Sequence, residues 1–386
     1  MEKNRLERIS ACTLGRIFAY EPKTARSIID ALGSARAVFE MDRESLRCLS
    51  GPYSRLPDLL TDDAQQESER TLERLQARGF DFVGITEDGY PPLLKECEDA
   101  PAGLYVRASK PLGEILEKRA LVSVVGTRDI SAYGREWCEK IVKALARTSS
   151  KPMIVSGFAI GVDITAQLAA VAAGLGTVAV LPTGIEDVYP RRHSAVAEKI
   201  ASRDDCALIT DFPPGTVPQQ FHFLKRNRII AGMSRGTILI ESKIRGGGMM
   251  TARLASDYGR TVLALPGRID DLRSEGCNAL IQQKVAEPLT ELGLLSEQLS
   301  LGRWAGNPAS DLEGEVRRCF AATENPRRLA LMQKLAITIS QSRGISLEEL
   351  SERFAEEGEP LTVPISLLEA EGFVSVDLAG RCRILR

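Results

Sequence analysis

The chain has 386 residues, with 50 Lys and Arg against 52 Asp and Glu. That length allows two or three domains, and the near-neutral balance excludes a protein that coats nucleic acid over its whole surface, so any such binding has to come from a local patch. No apolar run is long enough to span a bilayer and MEKNRLERIS is charged where a signal peptide turns hydrophobic, so a cytoplasmic protein without membrane contact is expected.

Residues 1–79 read as short helices at 5–19, 24–32, 35–41 and 62–78, punctuated by Gly33, Gly51 and Pro52. Nothing in them specifies chemistry, and two readings stand: a structural or oligomerising appendage, at least as well supported as the second, DNA binding by a helix-hairpin-helix. From 80 to 295 the pattern changes to strands at 82–86, 103–107, 121–125, 153–156, 177–181, 207–211, 237–241 and 261–265. Most are continuous apolar runs, as in strands buried on both faces. Helices at 134–146, 164–173, 191–201, 225–231 and 249–258 alternate with them. Repeated βα units predict an α/β fold with a doubly wound parallel sheet and ligands at the carboxyl ends of its strands. Residues 296–325 contain LGRWAGNPASDLEG and read as a linker. The last segment, 326–386, reads as helices at 329–339, 347–355 and 363–371 and a hairpin of 373–378 and 381–385, the pattern of a winged helix. Its third helix is acidic and apolar, which favours a structural or protein-contact role over reading duplex DNA.

Candidate chemistry follows the strands. After 121–125 come Gly126, Thr127 and Arg128, a glycine that lets backbone amides approach a phosphate beside a guanidinium that grips it. After 153–156 come Ser156 and Gly157, a hydroxyl donor and a tight turn, and then Asp163, which reads as a helix cap. Leu181-Pro182-Thr183-Gly184 and Asp187-Val188-Tyr189-Pro190-Arg191 follow the next strand. The densest signal lies between 225 and 260, where Lys225, Arg226, Arg228, Arg235, Lys243, Arg245, Arg253 and Arg260 face only Glu241 and Asp257. Within it Arg245, Gly246, Gly247 and Gly248 open a helix that carries Thr251. Glycine amides at a helix N-terminus make an anion site, and guanidinium binds phosphate oxygens two at a time. Neither G-x-G-x-x-G nor G-x-x-x-x-G-K-[ST] occurs. Four glycine-bearing, Arg-decorated loops on one rim point to an extended polyanion or a nucleotide. The eight cysteines include no C-x-x-C pair and have only His193 and His222 beside them, so no metal and no cofactor is expected.

Five stretches, VVGTRDISAYGRE, IVSGFAIGVDITAQLAA, AVLPTGIEDVYPRRHSAVAEKI, FLKRNRIIAGMSRGTILIESKIRGGGMMTARLASDYGRTVLALPG and EGCNALIQQKVAEP, closely resemble the DNA-processing protein A (DprA/Smf) family in order and spacing. The resemblance is dense from 80 to 292, and a helical N-terminus of the SAM or helix-hairpin-helix kind and a C-terminal winged helix fit the family's flanks. It implies a Rossmann-like core that binds and protects single-stranded DNA, forms a homodimer, and helps load the recombinase RecA during uptake of transforming DNA, without catalysis. The family's phosphate-gripping Arg falls on Arg128, with Gly126 and Thr127 beside it. Its F-x-[KR]-R-N-R motif falls on Phe223, Lys225, Arg226, Asn227 and Arg228, an aromatic and cations suited to stacking on a base and holding its backbone. The chain departs from the family at Ile160, a position that is often basic, at Gln167, where His is usual, and at Gly246-Gly247-Gly248, which replaces S-G-[ST]. The missing His removes the general base of that region. The rival expectation is a Rossmann-like nucleotide phosphoribohydrolase. Such enzymes carry P-G-G-x-G-T-x-x-E, and the stretch from Arg245 to Thr251 is followed by no Glu in that place.

Overall fold

The computed structural model describes residues 2–51, 56–303, 308–342, 344–358, 360–377 and 379–385; Pro52, positions 304–307 of the expected linker and Leu378 of the expected hairpin lie outside them. The chain divides into two compact units, Met1–Trp304 and Ala305–Arg386.

The first unit is built on nine strands: β1 Asp81–Gly84, β2 Gly103–Ala108, β3 Leu121–Val125, β4 Met153–Ser156, β5 Thr177–Val180, β6 Cys206–Thr210, β7 Gly236–Leu239, β8 Thr261–Ala264 and β9 Glu287–Pro288. Their order in the sheet is β1-β2-β6-β5-β4-β3-β7-β8-β9. From β6 to β9 all neighbours are parallel. The chain winds from β3 through β6 in one direction, then returns to the other side of β3 for β7 and β8. The order therefore reverses at β3/β7, where a doubly wound sheet opens its crevice.

The strand sequences explain this arrangement. All five residues of Leu121-Val-Ser-Val-Val125 are buried, as a central parallel strand requires. Val122 and Val124 pack with Cys138, Ile141, Val142 and Ala166 on one face, under the helices Ala132–Leu145 and Val162–Ala172. Leu121 and Val125 pack on the opposite face, in the core that holds Ile229, Ile230, Met249 and Ala252 of the helices Gln220–Gly232 and Gly247–Asp257. The polar pair between the two switch-point strands satisfies itself, with Ser123 Oγ 2.7 Å from Thr237 Oγ1.

Four features differ from the sequence reading. Strands β1 and β2 are antiparallel to each other and β2 is antiparallel to β6; the β1–β2 connection carries only the short helix Pro92–Lys95 and not the long helix usual in a parallel crossover. The strand β9 is two residues long and carried no apolar run to mark it. The helix placed at 225–231 begins at Gln220, after Gln219, whose backbone is extended as an N-cap's is. Residue 79 is no break in packing either. Ala11, Leu14, Ile28, Ile29 and Leu75 of the N-terminal helices share one core with Phe82, Leu104 and Val106 of β1 and β2.

In the second unit the expected linker contains a helix, Pro308–Phe320, whose Leu312, Val316 and Phe320 are buried with Leu331, Met332 and Leu335 of the helix Pro326–Gln341. Its apolar spacing at 312, 316 and 320 is helical, and of the segment's breakers Pro308 falls at the first helical position, where proline is tolerated, while Gly314 lies within the helix. The helices Leu347–Arg353 and Thr362–Ala370 follow. Strands β10 Ile345–Ser346, β11 Val374–Val376 and β12 Arg381–Ile384 form an antiparallel sheet in the order β10-β12-β11.

Candidate nucleic-acid interface

A cleft of about 720 Å³ opens at the β3/β7 switch point. One wall is the loop after β3, with Gly126, Thr127 and Arg128. The opposite wall is the loop after β7 and the head of the next helix, with Ser242, Lys243, Arg245, Gly246, Gly247, Gly248 and Thr251. Tyr189, Pro218, Gln219, Gln220, Phe223, Leu224, Arg226 and Asn227 close the side, with Ala159 and Asp163 at the base.

Two glycines let the walls meet. A Cβ on Gly248 would lie 2.8 Å from Leu239 Cδ1 and 3.0 Å from Gly126 Cα, and one on Gly126 would lie 2.7 Å from Val162 Cγ2 and 2.8 Å from the Glu241 carbonyl. The loop after β3 is pinned by backbone bonds, since Thr127 N–H donates to Glu241 O at 2.7 Å and Val162 N–H donates to Thr127 O at 3.1 Å. Glu241 is fully buried. Its carboxylate accepts the Ser131 N–H at 2.9 Å and the Ser131 hydroxyl at the head of the helix Ala132–Leu145, a favourable place for negative charge.

Across the cleft, the helix Gly247–Asp257 is preceded by Gly246, which has no side chain to cap it. Its first N–H groups have no intrahelical partner. A Cβ on Gly247 would meet nothing within 4 Å, so this backbone is open to a ligand. The carbonyl of Gly247 accepts from Asn227 Nδ2 at 3.4 Å and Thr251 Oγ1 at 3.3 Å, which fixes the first turn. Lys243 and Arg245 are exposed and, among the described residues, make no ion pair. Arg128 is exposed too, with its guanidinium carbon 4.6 Å from the centroid of the Phe223 ring. Tyr189 packs edge-on against Phe223 with centroids 5.3 Å apart.

Several residues singled out in the sequence are engaged within the protein and are not free for a ligand. Ser156 is buried and donates to Val124 O at 2.6 Å, so it has no hydroxyl to offer a ligand. Gly157 lies under Arg226, whose guanidinium nitrogens would be 2.4 Å from a Cβ there. Arg226 is buried and donates to the carbonyls of Gly157 and Val180 at the ends of β4 and β5. Burial pulls its guanidinium down to about 10, against the attraction of Asp163. Arg228 is buried against Asp211, with side chains 6% and 5% exposed, and also donates to Asp99 O. Lys225 Nζ lies 3.6 Å from the same Asp211 carboxylate and between the Tyr20 and Phe212 rings, with burial lowering its pKa. Lys225 and Arg228 do not line the cleft.

Asp163 also departs from its reading as a cap. The N-cap is Gly161, and Asp163 Oδ2 accepts the Ala159 N–H at 3.4 Å, closing the turn ahead of the helix. It is the one acidic residue lining the cleft among the described residues, and burial raises its pKa. Gln167 is fully buried, donating to Thr177 Oγ1 and Val178 O at 3.3 Å. It lies outside the cleft lining, so the residue type at 167 says nothing about a base in the site. Lys243 was legible only as one of eight cations. Its position three residues before a helix-opening glycine run was the signal that set it apart.

The switch-point cleft, an open helix N-terminus and unpaired cations beside an aromatic ring define an anion-binding protein of the doubly wound α/β class. Among the described residues no His, Cys, Asp and Glu group is arranged to hold a metal ion, and no helix is long and apolar enough to cross a membrane. The chain belongs to the DNA recombination-mediator protein A family, whose model matches residues 81–300. It is 39% identical to DNA processing protein DprA of Streptococcus pneumoniae over 204 residues, covering 53% of this chain and 69% of that one. It is 35% identical to protein Smf of Escherichia coli over 235 residues, covering 61% of this chain and 60% of that one. The solved structure of the S. pneumoniae protein matches with a TM-score of 0.63 at 30% identity, over 77% of this chain and 96% of that one. A structure of DNA processing protein A from Helicobacter pylori, described as revealing a unique single-stranded DNA binding mode, matches with a TM-score of 0.50 at 25% identity, over 57% of this chain and 95% of that one.

Proposed function

We propose that the cleft binds single-stranded DNA. Phosphates sit on the amides at the head of the helix Gly247–Asp257 and on Arg128, Lys243 and Arg245, while a base lies against the Phe223 and Tyr189 side. The observation that carries this reading is the gathering of unpaired cations, open backbone amides and an aromatic ring at the sheet's switch point. Backbone-tracking charge beside a π surface suits a strand whose bases are free to unstack. The H. pylori relative described as binding single-stranded DNA supports the same reading. The deciding experiment is fluorescence anisotropy of the full chain with a single-stranded and a duplex oligonucleotide, with Arg128→Ala in parallel. Salt-sensitive binding that prefers the single strand and weakens in the variant is expected; equal affinity for the duplex, or an unaffected variant, overturns it.

The finer role we propose is a mediator in transformation or recombination that protects the strand and helps load RecA, acting as a cytoplasmic homodimer and not as an enzyme; family membership supports it. Among the described residues Asp163 is the one carboxyl lining the cleft, and its Oδ2 accepts the Ala159 N–H at 3.4 Å. The assay is RecA filament assembly on strands coated with a single-strand binding protein, where added protein shortens the lag. The second unit is read as a winged helix with a structural or protein-contact role. Its removal has to begin at residue 305, because the helix Pro308–Phe320 packs within it, and strand affinity is expected to survive that cut.

A further inference from the structure

The first turns of the helix Gln220–Gly232 present side chains in two directions. Phe223 and Asn227 face the cleft. Phe221 stays 45% exposed and Leu224, which also lines the cleft, 41%. The segment leading into the helix adds Val217, 61% exposed. Tyr20, from the turn after the first N-terminal helix, is 62% exposed with its ring centroid 5.6 Å from that of Phe221. It is anchored from beneath: its hydroxyl lies 3.4 Å from His222 Nε2, and Lys225 Nζ sits 5.0 Å from its ring centroid. Two aromatic rings are thus presented at the surface on one lip of the cleft, although nothing in the sheet's core requires them to be there.

We infer that Tyr20 and Phe221 form a second stacking platform, which takes bases of the strand after it leaves the cleft over Leu224. The inference rests on the single-strand reading of the cleft. Three points favour nucleobases as the occupant. The patch continues directly from the cleft wall through Pro218, Gln219, Gln220 and Leu224. It presents two exposed aromatic rings tilted 54° to each other, and every base has a π-face to lay against a ring. The ammonium of Lys225 behind Tyr20 places positive charge at the back of the platform without blocking its exposed side. On this reading the N-terminal helical segment contributes to the nucleic-acid surface through the Tyr20 ring.

The test uses the full chain and two oligothymidylates, one of about 6 nucleotides that fills the cleft and one of about 20 that extends beyond it. Tyr20→Ala with Phe221→Ala is expected to weaken the longer strand at least about fivefold and leave the shorter within about twofold. The slope of log affinity against log salt should stay as in the wild-type chain, because stacking releases no counterions. Tyr20→Phe, which keeps the ring and loses the His222 contact, should bind as the wild-type chain does. Tyr20→Ala alone, at a largely exposed site, guards against loss of folding, with the melting temperature recorded for every variant. Unchanged affinity for the longer strand, as a protein-docking patch would give, overturns the platform. Equal losses for both lengths overturn it too, since they mean the cleft itself was disturbed. Failure of the cleft reading looks different: there Arg128→Ala leaves both lengths unaffected.

Discussion

The helix Gln220–Gly232 and the loops after β3 and β7 both carry Lys and Arg, and they use them in opposite ways. On the helix, Lys225, Arg226 and Arg228 are turned inward and matched to Asp211 and to carbonyls at the ends of β4 and β5. On the loops, Arg128, Lys243 and Arg245 point into solvent without an ion pair among the described residues. A sheet whose strand ends converge on a cleft leaves backbone carbonyls there without strand partners, and long guanidinium side chains from an adjacent helix satisfy them. The richest cationic motif in the sequence is therefore largely the frame of the site, and the sparser cations on the glycine loops form its surface.

The sharpest way to break this comparison is Arg228→Ala. It leaves the Asp211 carboxylate buried with only Lys225 nearby and removes a donor from the Asp99 carbonyl. Deleting one partner of a buried pair costs about 3 to 5 kcal/mol. Urea denaturation should show a loss of that order, while the folded fraction binds single-stranded DNA as before. A stable variant with weakened binding would place Arg228 on the DNA surface after all.

The two neighbouring glycines of the β7 loop sharpen the comparison at smaller cost. Gly248→Ala pushes a methyl into Leu239 and the Gly126 backbone, and overpacking of this kind costs about 1 to 3 kcal/mol. Gly247→Ala meets nothing within 4 Å and should hold or slightly raise the melting temperature, since alanine loses less backbone freedom on folding. The pair separates a glycine needed for packing from one facing the cleft; equal melting temperatures would show that the loops do not meet as closely as described.

The strands of the doubly wound sheet were legible because central parallel strands are unbroken apolar runs, and the loops after β3 and β7 because glycine and Arg follow such runs directly. The direction of a side chain on an amphiphilic helix was not legible in the same way. Residues 220–232 contain Arg226 and Arg228 among Ile229 and Ile230, and periodicity alone does not say that guanidinium groups occupy the buried side. Their burial depends on Asp211 and on the ends of β4 and β5, all distant in the chain. Ser156 was misplaced for a related reason: its hydroxyl bonds to Val124 on the adjacent strand, a partner set by sheet order. The antiparallel edge at β1 and β2 was hidden by the assumption that each strand is followed by a full crossover helix.

Arg128→Ala and Arg245→Ala against Lys225→Ala test the same comparison through binding. Each of the first two removes an exposed cation at the cleft and should weaken single-stranded DNA about tenfold, as loss of a charge-assisted contact does. Each should also reduce the salt slope by roughly 0.7. Lys225→Ala should leave the slope unchanged, because its ammonium is engaged with Asp211 and two rings. Titrations at several salt concentrations read all three variants, and a reduced slope for Lys225→Ala would return that residue to the phosphate-contacting set.

The smallest expected effect concerns Phe223. Its sequence position suggests a ring that stacks on a base, in which case Phe223→Leu lowers affinity without altering the salt slope. The structure adds a second role, since the Arg128 guanidinium lies over the ring at 4.6 Å. A cation held on an aromatic face at an exposed site gains about 0.5 to 1 kcal/mol. Removing the ring therefore frees Arg128 to leave the pose in which its N–H groups meet a phosphate. A double-mutant cycle with Arg128→Ala isolates this term. Phe223→Leu should cost about two- to fivefold more affinity in the wild-type background than in the Arg128→Ala background, the fold-change equivalent of that cation–π energy. It should also lower the salt slope while Arg128 is present. Strict additivity with an unchanged slope would mean that Phe223 meets the base alone. A loss of several degrees in melting temperature with no change in affinity would make it a packing residue beside Tyr189.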